Sequence, residues 1–302
     1  MSLLVVGTVA FDAIETPFAK TDKIVGGAAT YICHSASFFS KKINLVSVVG
    51  EDFPNKAIND LKEKGVDVGG LQIKKGRKTF FWSGKYHNNM NSRDTLKTEL
   101  NVLEDFDPIV PNQYTKSEFL MLGNLMPSVQ KRVLEQMQKR PKLIVLDTMN
   151  FWMDNFMSDL KQALKNTDVL TINDDEARQL SGEYSLPVAA KKILKMGPKF
   201  LIIKKGEHGA ILFGEGKTFY SPAVMLESVI DPTGAGDSFA GGFIGYLAQT
   251  KKISFETMKK AVVYGSVLAS FTVEKLGIES IQNINEEKVN KRLAEIREMV
   301  SF

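Results

Sequence analysis

Short runs of Leu, Ile and Val recur along the chain, separated by stretches in which apolar residues return every three or four positions. Ser2 to Val9, built on Leu3-Leu4-Val5-Val6, predicts a buried parallel strand that ends at Gly7. Asn44 to Val49 predicts a second strand, and a helix from about Asn55 to Lys64 stops at Gly65. Gly65-Val66-Asp67-Val68 leads into another strand. From Phe119 the pattern settles into α/β alternation. Strands are expected at Phe119–Leu122, Leu143–Leu146, Val169–Ile172, Phe200–Ile203 and Ala210–Phe213, with helices near 128–139, 155–165, 175–181 and 187–196. Such alternation predicts a mostly parallel sheet covered on both faces. Ala261 to Val273 reads as a buried helix ending near Leu276-Gly277-Ile278. In the last helix, Asn285 to Val300, Val289, Leu293, Ile296 and Val300 share one stripe.

Two stretches break the pattern. Residues 13–25 contain Pro17 and alternate weakly, which predicts short strands outside the main sheet. Thr79 to His87 alternates strictly, with Phe80, Trp82 and Tyr86 on one face and Thr79, Phe81, Ser83, Lys85 and His87 on the other, the pattern of a strand with both faces partly covered. Between them Gly26-Gly27 opens a helix through Tyr31, Cys33 and Phe38.

Composition narrows the function classes. The 302 residues are 43% hydrophobic, enough for one large α/β domain. The net charge is +4 and no dense Lys/Arg block marks a nucleic-acid footprint. Cys33 is the single cysteine, so no intrachain disulfide forms; it reads as a small packed apolar residue. His34, His87 and His208 are scattered, against a zinc site. No run is long enough to span a bilayer and the first strand follows directly on the N-terminus, so a cytoplasmic protein without membrane or nucleic-acid partners is expected.

The chemistry concentrates at Asp231-Pro232-Thr233-Gly234-Ala235-Gly236-Asp237. A strand-like Ser228-Val229-Ile230 enters this turn and a helix with small residues, Ser238 to Leu247, leaves it. Small residues at a helix start let an anion approach backbone N–H groups, where the helix dipole favours negative charge. A carboxylate at Asp237 would repel a resting phosphate but suits a base that takes a proton from an attacking hydroxyl. With no G-x-x-x-x-G-K-[ST], this is phosphoryl transfer without a P-loop. An ordinary tight turn with an Asp near the helix start explains the same seven residues.

The motif D-P-T-G-A-G-D-S-F-A-G-G-F resembles the C-terminal signature of the ribokinase-like (PfkB) carbohydrate and nucleoside kinase family, and further features of that family recur in order from about residue 3 to residue 280. The resemblance implies a three-layer α/β/α sandwich with a mostly parallel sheet, one domain over 1–302, and a small β-sheet lid with strands within about 13–25 and 70–100. It puts the catalytic base on Asp237 and the anion hole on Gly234, Ala235 and Gly236. Asp12, Gly26 and Gly27 would hold the acceptor. The family often has Asn a few residues after the glycines, where this chain has Thr30 and Tyr31, so one sugar contact is lost.

Asp147 and Asn150 resemble the family's D-x-N turn. Asn173 and Glu176 match its Asn-x-x-Glu motif for the phosphate and Mg²⁺ region, with Glu176 acting through water; acidic residues at a helix start also occur for dipole reasons alone. Lys204, Gly206 and Gly209 match a nucleotide-side turn, and Thr233 and Ser266 complete the implied nucleotide contacts. Asp231 and Thr233 would border a monovalent cation such as K⁺. The implied activity is ATP- and Mg²⁺-dependent phosphorylation of a CH₂OH group on a sugar, with a nucleoside as the alternative acceptor and a homodimer formed through the lid. A non-catalytic nucleotide or sugar sensor has no need of Asp237, and a nicotinamide dehydrogenase would need G-x-G-x-x-G where Gly7 stands alone.

Overall fold

The computed structural model describes residues 2–301. β1 (Leu3–Val6) is followed at once by β2 (Ala10–Glu15) and β3 (Ile24–Gly26), and α1 (Ala28–Ala36) starts behind Gly27. Next come β4 (Ile43–Gly50), α2 (Asn55–Glu63), β5 (Val66–Lys74), β6 (Phe81–Tyr86) and β7 (Arg93–Glu99). The alternating half gives β8 (Phe119–Leu122), α3 (Pro127–Gln136), β9 (Leu143–Asp147), α4 (Asn150–Asn155) and α5 (Met157–Leu164). It continues with β10 (Val169–Asn173), α6 (Asp174–Ser181), α7 (Leu186–Leu194) and β11 (Phe200–Lys204). β12 (Ala210–Gly214) and β13 (Lys217–Ser221) form a hairpin before α8 (Ala235–Thr250), α9 (Phe255–Thr272) and α10 (Glu286–Val300).

The main sheet has nine strands in the order β13-β12-β11-β10-β9-β8-β1-β4-β5. From β11 to β5 all neighbours run parallel; β12 and β13 are antiparallel at one edge. Strand side chains alternate between two cores, as the pleat requires. Leu3, Val5, Leu45, Met121, Val145 and Ile202 join α1, α8 and α9, whereas Leu4, Val6, Val46, Leu120, Ile144 and Ile203 join α3, α5, α6 and α7. The result is a three-layer α/β/α sandwich. Among the described residues no helix is long and apolar enough to cross a membrane. Cys33 is fully buried in the core, as expected of a packed thiol.

A separate four-stranded sheet, β3-β2-β6-β7, forms the lid. β2 and β6 run parallel, and the two outer pairs are antiparallel. Its bounds differ from the expected ones. Residues 70–74 belong to β5, because the long β4 needs a partner as far as Gly50, which pairs with Lys74. The lid also begins at Ala10, so Asp12 lies on a lid strand. Its outer face is polar: Glu15 binds both Lys20 (3.0 Å) and Lys85 (2.7 Å).

The helix expected near 155–165 is α5, and the short α4 before it, which the pattern did not announce, is set off from it where Phe156 leaves helical geometry (φ −139°, ψ 35°). One further expectation fails. Ser228-Val229-Ile230 is not a strand. The N–H groups of Ile230 and Asp231 both donate to the carbonyl of Val273 at the end of α9 (2.8 and 3.2 Å), so a helix end holds this segment and not a sheet.

The start of α8 is clamped from two sides. Ser35 Oγ donates to the Ser238 carbonyl (2.6 Å), and Thr272 Oγ1 donates to Ser238 Oγ (2.7 Å). Gly241 lets α8 lie directly on α1, since a Cβ there would collide with the Ile32 carbonyl. Overpacking a site this tight costs about 1–3 kcal/mol. Gly241→Ala is therefore expected to lower the melting temperature by several degrees; an unchanged melting curve would show that α8 can back away freely.

Candidate active site

Asp147, Asn173 and Lys204 end the neighbouring strands β9, β10 and β11, the carboxyl edge where open α/β sheets present ligand sites. Opposite them α8 begins. Gly234 is its N-cap in the left-handed region (φ 75°), and a Cβ there would meet the Tyr31 ring at 2.5 Å. Both facts require glycine. Ser238 N–H donates to the Gly234 carbonyl and Ala235 N–H to that of Pro232, whereas the N–H groups of Gly234, Gly236 and Asp237 find no backbone acceptor among the described residues. A first turn with open donors is a ready-made anion hole. Lys204 Nζ stands against it, 3.0 Å from where a Cβ on Gly236 would be.

Lys204 is the centre of the electrostatics. Its Nζ lies 3.3 Å from Asp147 Oδ1, and both side chains are largely buried. Burial by itself would lower the lysine's pKa; the charges of Asp147, Glu176 and Asp237 outweigh it and raise it. The acids respond in kind. Burial pushes Asp237 up to about 7, with Asp147 adding to the rise and Lys204 opposing it. Burial likewise pushes Glu176 up to about 7 and raises Asp147, and Lys204 is the main opposing charge for each. The arrangement is one cation among several carboxylates.

Asn173 and Glu176 form a reciprocal capping box on α6: Glu176 N–H donates to Asn173 Oδ1 (2.7 Å) and Asn173 N–H to Glu176 Oε2 (2.8 Å). The local-structure reading of this motif is thus correct. Glu176 still sends its charge to Lys204, and its Oε1 has no partner among the described residues, so the cap and the site share the residue.

The acceptor side is built by β2, β3 and the start of α1. Asp12 is buried, which pushes it up to about 7, against a favourable contact from Gly27 N–H. Gly26 has no room for a side chain, because a Cβ would fall on the Asp12 carboxylate. Gly27 has φ 91°. The lid reaches across both halves. Tyr86 OH takes a hydrogen bond from Thr233 Oγ1 (3.2 Å), and Asn91, at the tip of the β6–β7 hairpin, meets Gly206. Trp82 shares the face of Tyr86, as the alternation predicts; its indole lies across Gly84, donates to Thr95 Oγ1 (3.3 Å) and has Arg93 5.7 Å from its centre.

Other expected residues stand apart. Asp231 is buried, and its two oxygens take the N–H groups of Thr233 (2.9 Å) and Gly277 (3.0 Å), tying the signature to the turn after α9. Both of its oxygens already accept from backbone N–H groups, so the geometry alone does not call for a cation there. Gly209 (φ 89°) packs against the Ser221 carbonyl and shapes the β11–β12 turn. Ser266 is buried on α9, about two turns before its end. Asn150 is exposed at the start of α4, away from the strand-end cluster.

Arg93 went unnoticed in the sequence. It is paired with Tyr86 across the lid, and its charge acts on Asp12, Glu176 and Asp237 alike. Only the pairing of two separated strands reveals it. Among the described residues no three acidic or sulfur or imidazole ligands converge into a metal cage. The excess of buried carboxylates around Lys204 nonetheless fits a divalent cation that arrives with phosphates and keeps its waters, which is how Mg²⁺ is usually held.

The pfkB family carbohydrate kinase model matches residues 2–284. The chain is 28% identical to a cytidine kinase of Thermococcus kodakarensis, covering 82% of this chain and 88% of that protein. The fold is that of the Methanocaldococcus jannaschii nucleoside kinase (TM-score 0.77, 22% identity, 97% of this chain and 98% of that one). It is also that of an Escherichia coli putative ribokinase II in complex with ATP and Mg²⁺ (TM-score 0.80, 18% identity, 97% and 99%). The chain belongs to the pfkB family and is an ATP-dependent kinase.

The raised acids also predict a stability signature. Asp237 binds its proton up to about pH 7 when folded and only to about 4 when unfolded. The folded state therefore gains stability below about 4 and loses it as the pH rises towards 7. Asp237→Asn should raise the melting temperature at pH 8 by roughly 3–6 °C and by much less at pH 4. A gain of equal size at both pH values would contradict the buried charge.

Proposed function

We propose that this kinase transfers the γ-phosphoryl group of ATP to the CH₂OH hydroxyl of a nucleoside. The observation that carries the transfer chemistry is Asp237 within the open first turn of α8, with Lys204 beside Gly236. The nucleoside is favoured over a free sugar by the likeness to the cytidine kinase and by aromatic side chains, Trp82 and Tyr86, on the inner face of the lid.

Asp237 takes the proton from the acceptor hydroxyl as that oxygen attacks phosphorus. Its pKa near 7 suits the work, because a base poised near the working pH is both free and strong enough. The N–H groups of Gly234, Gly236 and Asp237 hold the oxygens of the transferring group, and Lys204 and Arg93 add positive charge from the sheet and the lid. Bound Mg²⁺ supplies further charge neutralisation on the phosphates, and Glu176 would hold it through water, with Asn173 orienting the same region. Lys204, Gly206 and Thr233 line the nucleotide side, with Gly209 closing the turn that carries Gly206. Asp12 accepts hydrogen bonds from acceptor hydroxyls, and Gly26 and Gly27 let the acceptor reach the backbone. Closure of the lid tip on Gly206 excludes water from the reaction.

ATP-to-ADP turnover against a panel of nucleosides, free sugars and sugar phosphates tests the reading, with K⁺ and Na⁺ compared to test the cation site at Asp231 and Thr233. Turnover with a nucleoside is expected, and Asp237→Asn should lower kcat by about two to four orders of magnitude while ATP binding stays within a few-fold. Near-normal kcat in that variant would remove Asp237 from the role. Turnover with sugars alone would return the acceptor to the carbohydrate class, and silence with protein that binds ATP would favour a sensor.

A further inference from the structure

Tyr31 is 1% exposed on α1, yet its hydroxyl has no hydrogen-bond partner among the described residues. Leaving a buried hydroxyl unpaired is costly, so such a group calls for an explanation. The ring is fixed against Gly234 at the start of α8. α1, which carries the hydroxyl, starts just behind Gly26-Gly27, where the Asp12 carboxylate is packed, and the charges of Asp12, Asp231 and Asp237 and the Tyr86 phenol act on that hydroxyl. Each of these except Asp12 has a use already. Asp231 is filled by the N–H groups of Thr233 and Gly277, Tyr86 OH is held by Thr233, and Asp237 belongs to the anion hole. Asp12 accepts from Gly27 N–H, and among the described residues no side chain donates to it. The phenol and the Asp12 carboxylate thus form a donor and an acceptor in one buried place that do not bond each other.

We propose that Tyr31 is a specificity-determining residue whose hydroxyl donates to a ring hydroxyl of the acceptor, beside the hydroxyl that donates to Asp12, so that the enzyme selects acceptors carrying two adjacent hydroxyls. This rests on the nucleoside reading above, in which the pair would be the 2′ and 3′ hydroxyls of ribose. A carboxylate can only accept and needs a hydroxyl to give; a phenol short of an acceptor needs an oxygen to receive. A diol supplies both. A deoxy sugar leaves one of the two buried groups unpaired, which is the circumstance in which binding sites discriminate most strongly.

The test is steady-state kinetics of wild type and Tyr31→Phe with ATP, using cytidine, uridine, adenosine and guanosine and the 2′-deoxy and 3′-deoxy analogue of the best of them, together with melting curves. Phenylalanine keeps the ring on Gly234, so the melting temperature should hold. With the ribonucleoside, KM should rise by about 10- to 100-fold with kcat much less affected, and the wild-type preference over the more strongly rejected deoxy analogue should shrink by a similar factor. An unchanged KM and preference in Tyr31→Phe, or an equal loss on ribo and deoxy acceptors, overturns the assignment while leaving the kinase reading intact. Wild-type silence on every nucleoside overturns the nucleoside reading itself and the ribose assignment with it.

Discussion

Lys204 carries a single positive charge into a space that it shares with the carboxylates of Asp147, Glu176 and Asp237. The ion pair with Asp147 accounts for one of them. The remaining negative charge is held in a poorly solvated place, and the acids answer by holding protons near neutral pH. An imbalance of this kind costs stability, and it is relieved by whatever brings positive charge, as a divalent cation would.

The fold makes that imbalance possible. Three adjacent parallel strands stop at the same edge and present Asp147, Asn173 and Lys204 side by side. α8 is driven against that edge by Ser35, Thr272 and a glycine-lined contact with α1, which fixes where its open N–H groups point. The lid then covers the site from the acceptor side, with Tyr86 on Thr233 and Asn91 on Gly206. Neither the sheet nor the lid alone carries the proposed site; the juxtaposition does.

Much of this is legible in the sequence where chemistry and conformation are local. Gly234 to Asp237 announce themselves because a tight turn, small residues and an acid must coincide within one helical turn, and Asn173-x-x-Glu176 shows itself as a cap for the same reason. The sheet follows from runs of branched residues of the right length. What escapes is set by distant partners. Ser228-Val229-Ile230 has strand composition, but its N–H groups are claimed by the end of α9. Residues 70–74 go to the main sheet because β4 is long enough to need them. Arg93 matters only because it lies opposite Tyr86, and Tyr31 reads as one more core aromatic until its hydroxyl is found unpaired beside Asp12.

The central claim is that burial, unevenly offset by Lys204, sets the proton affinity of Asp237, the carboxylate we propose as the base. The pH dependence of kcat/KM measures it most directly, since it reports the ionisation of the free enzyme. The profile should show an acid limb with an apparent pKa near 7, the value to which Asp237 is pushed. The neighbouring acids would share in the limb. A profile that stays flat down to about pH 5 would mean an ordinary carboxylate there, and would contradict the account.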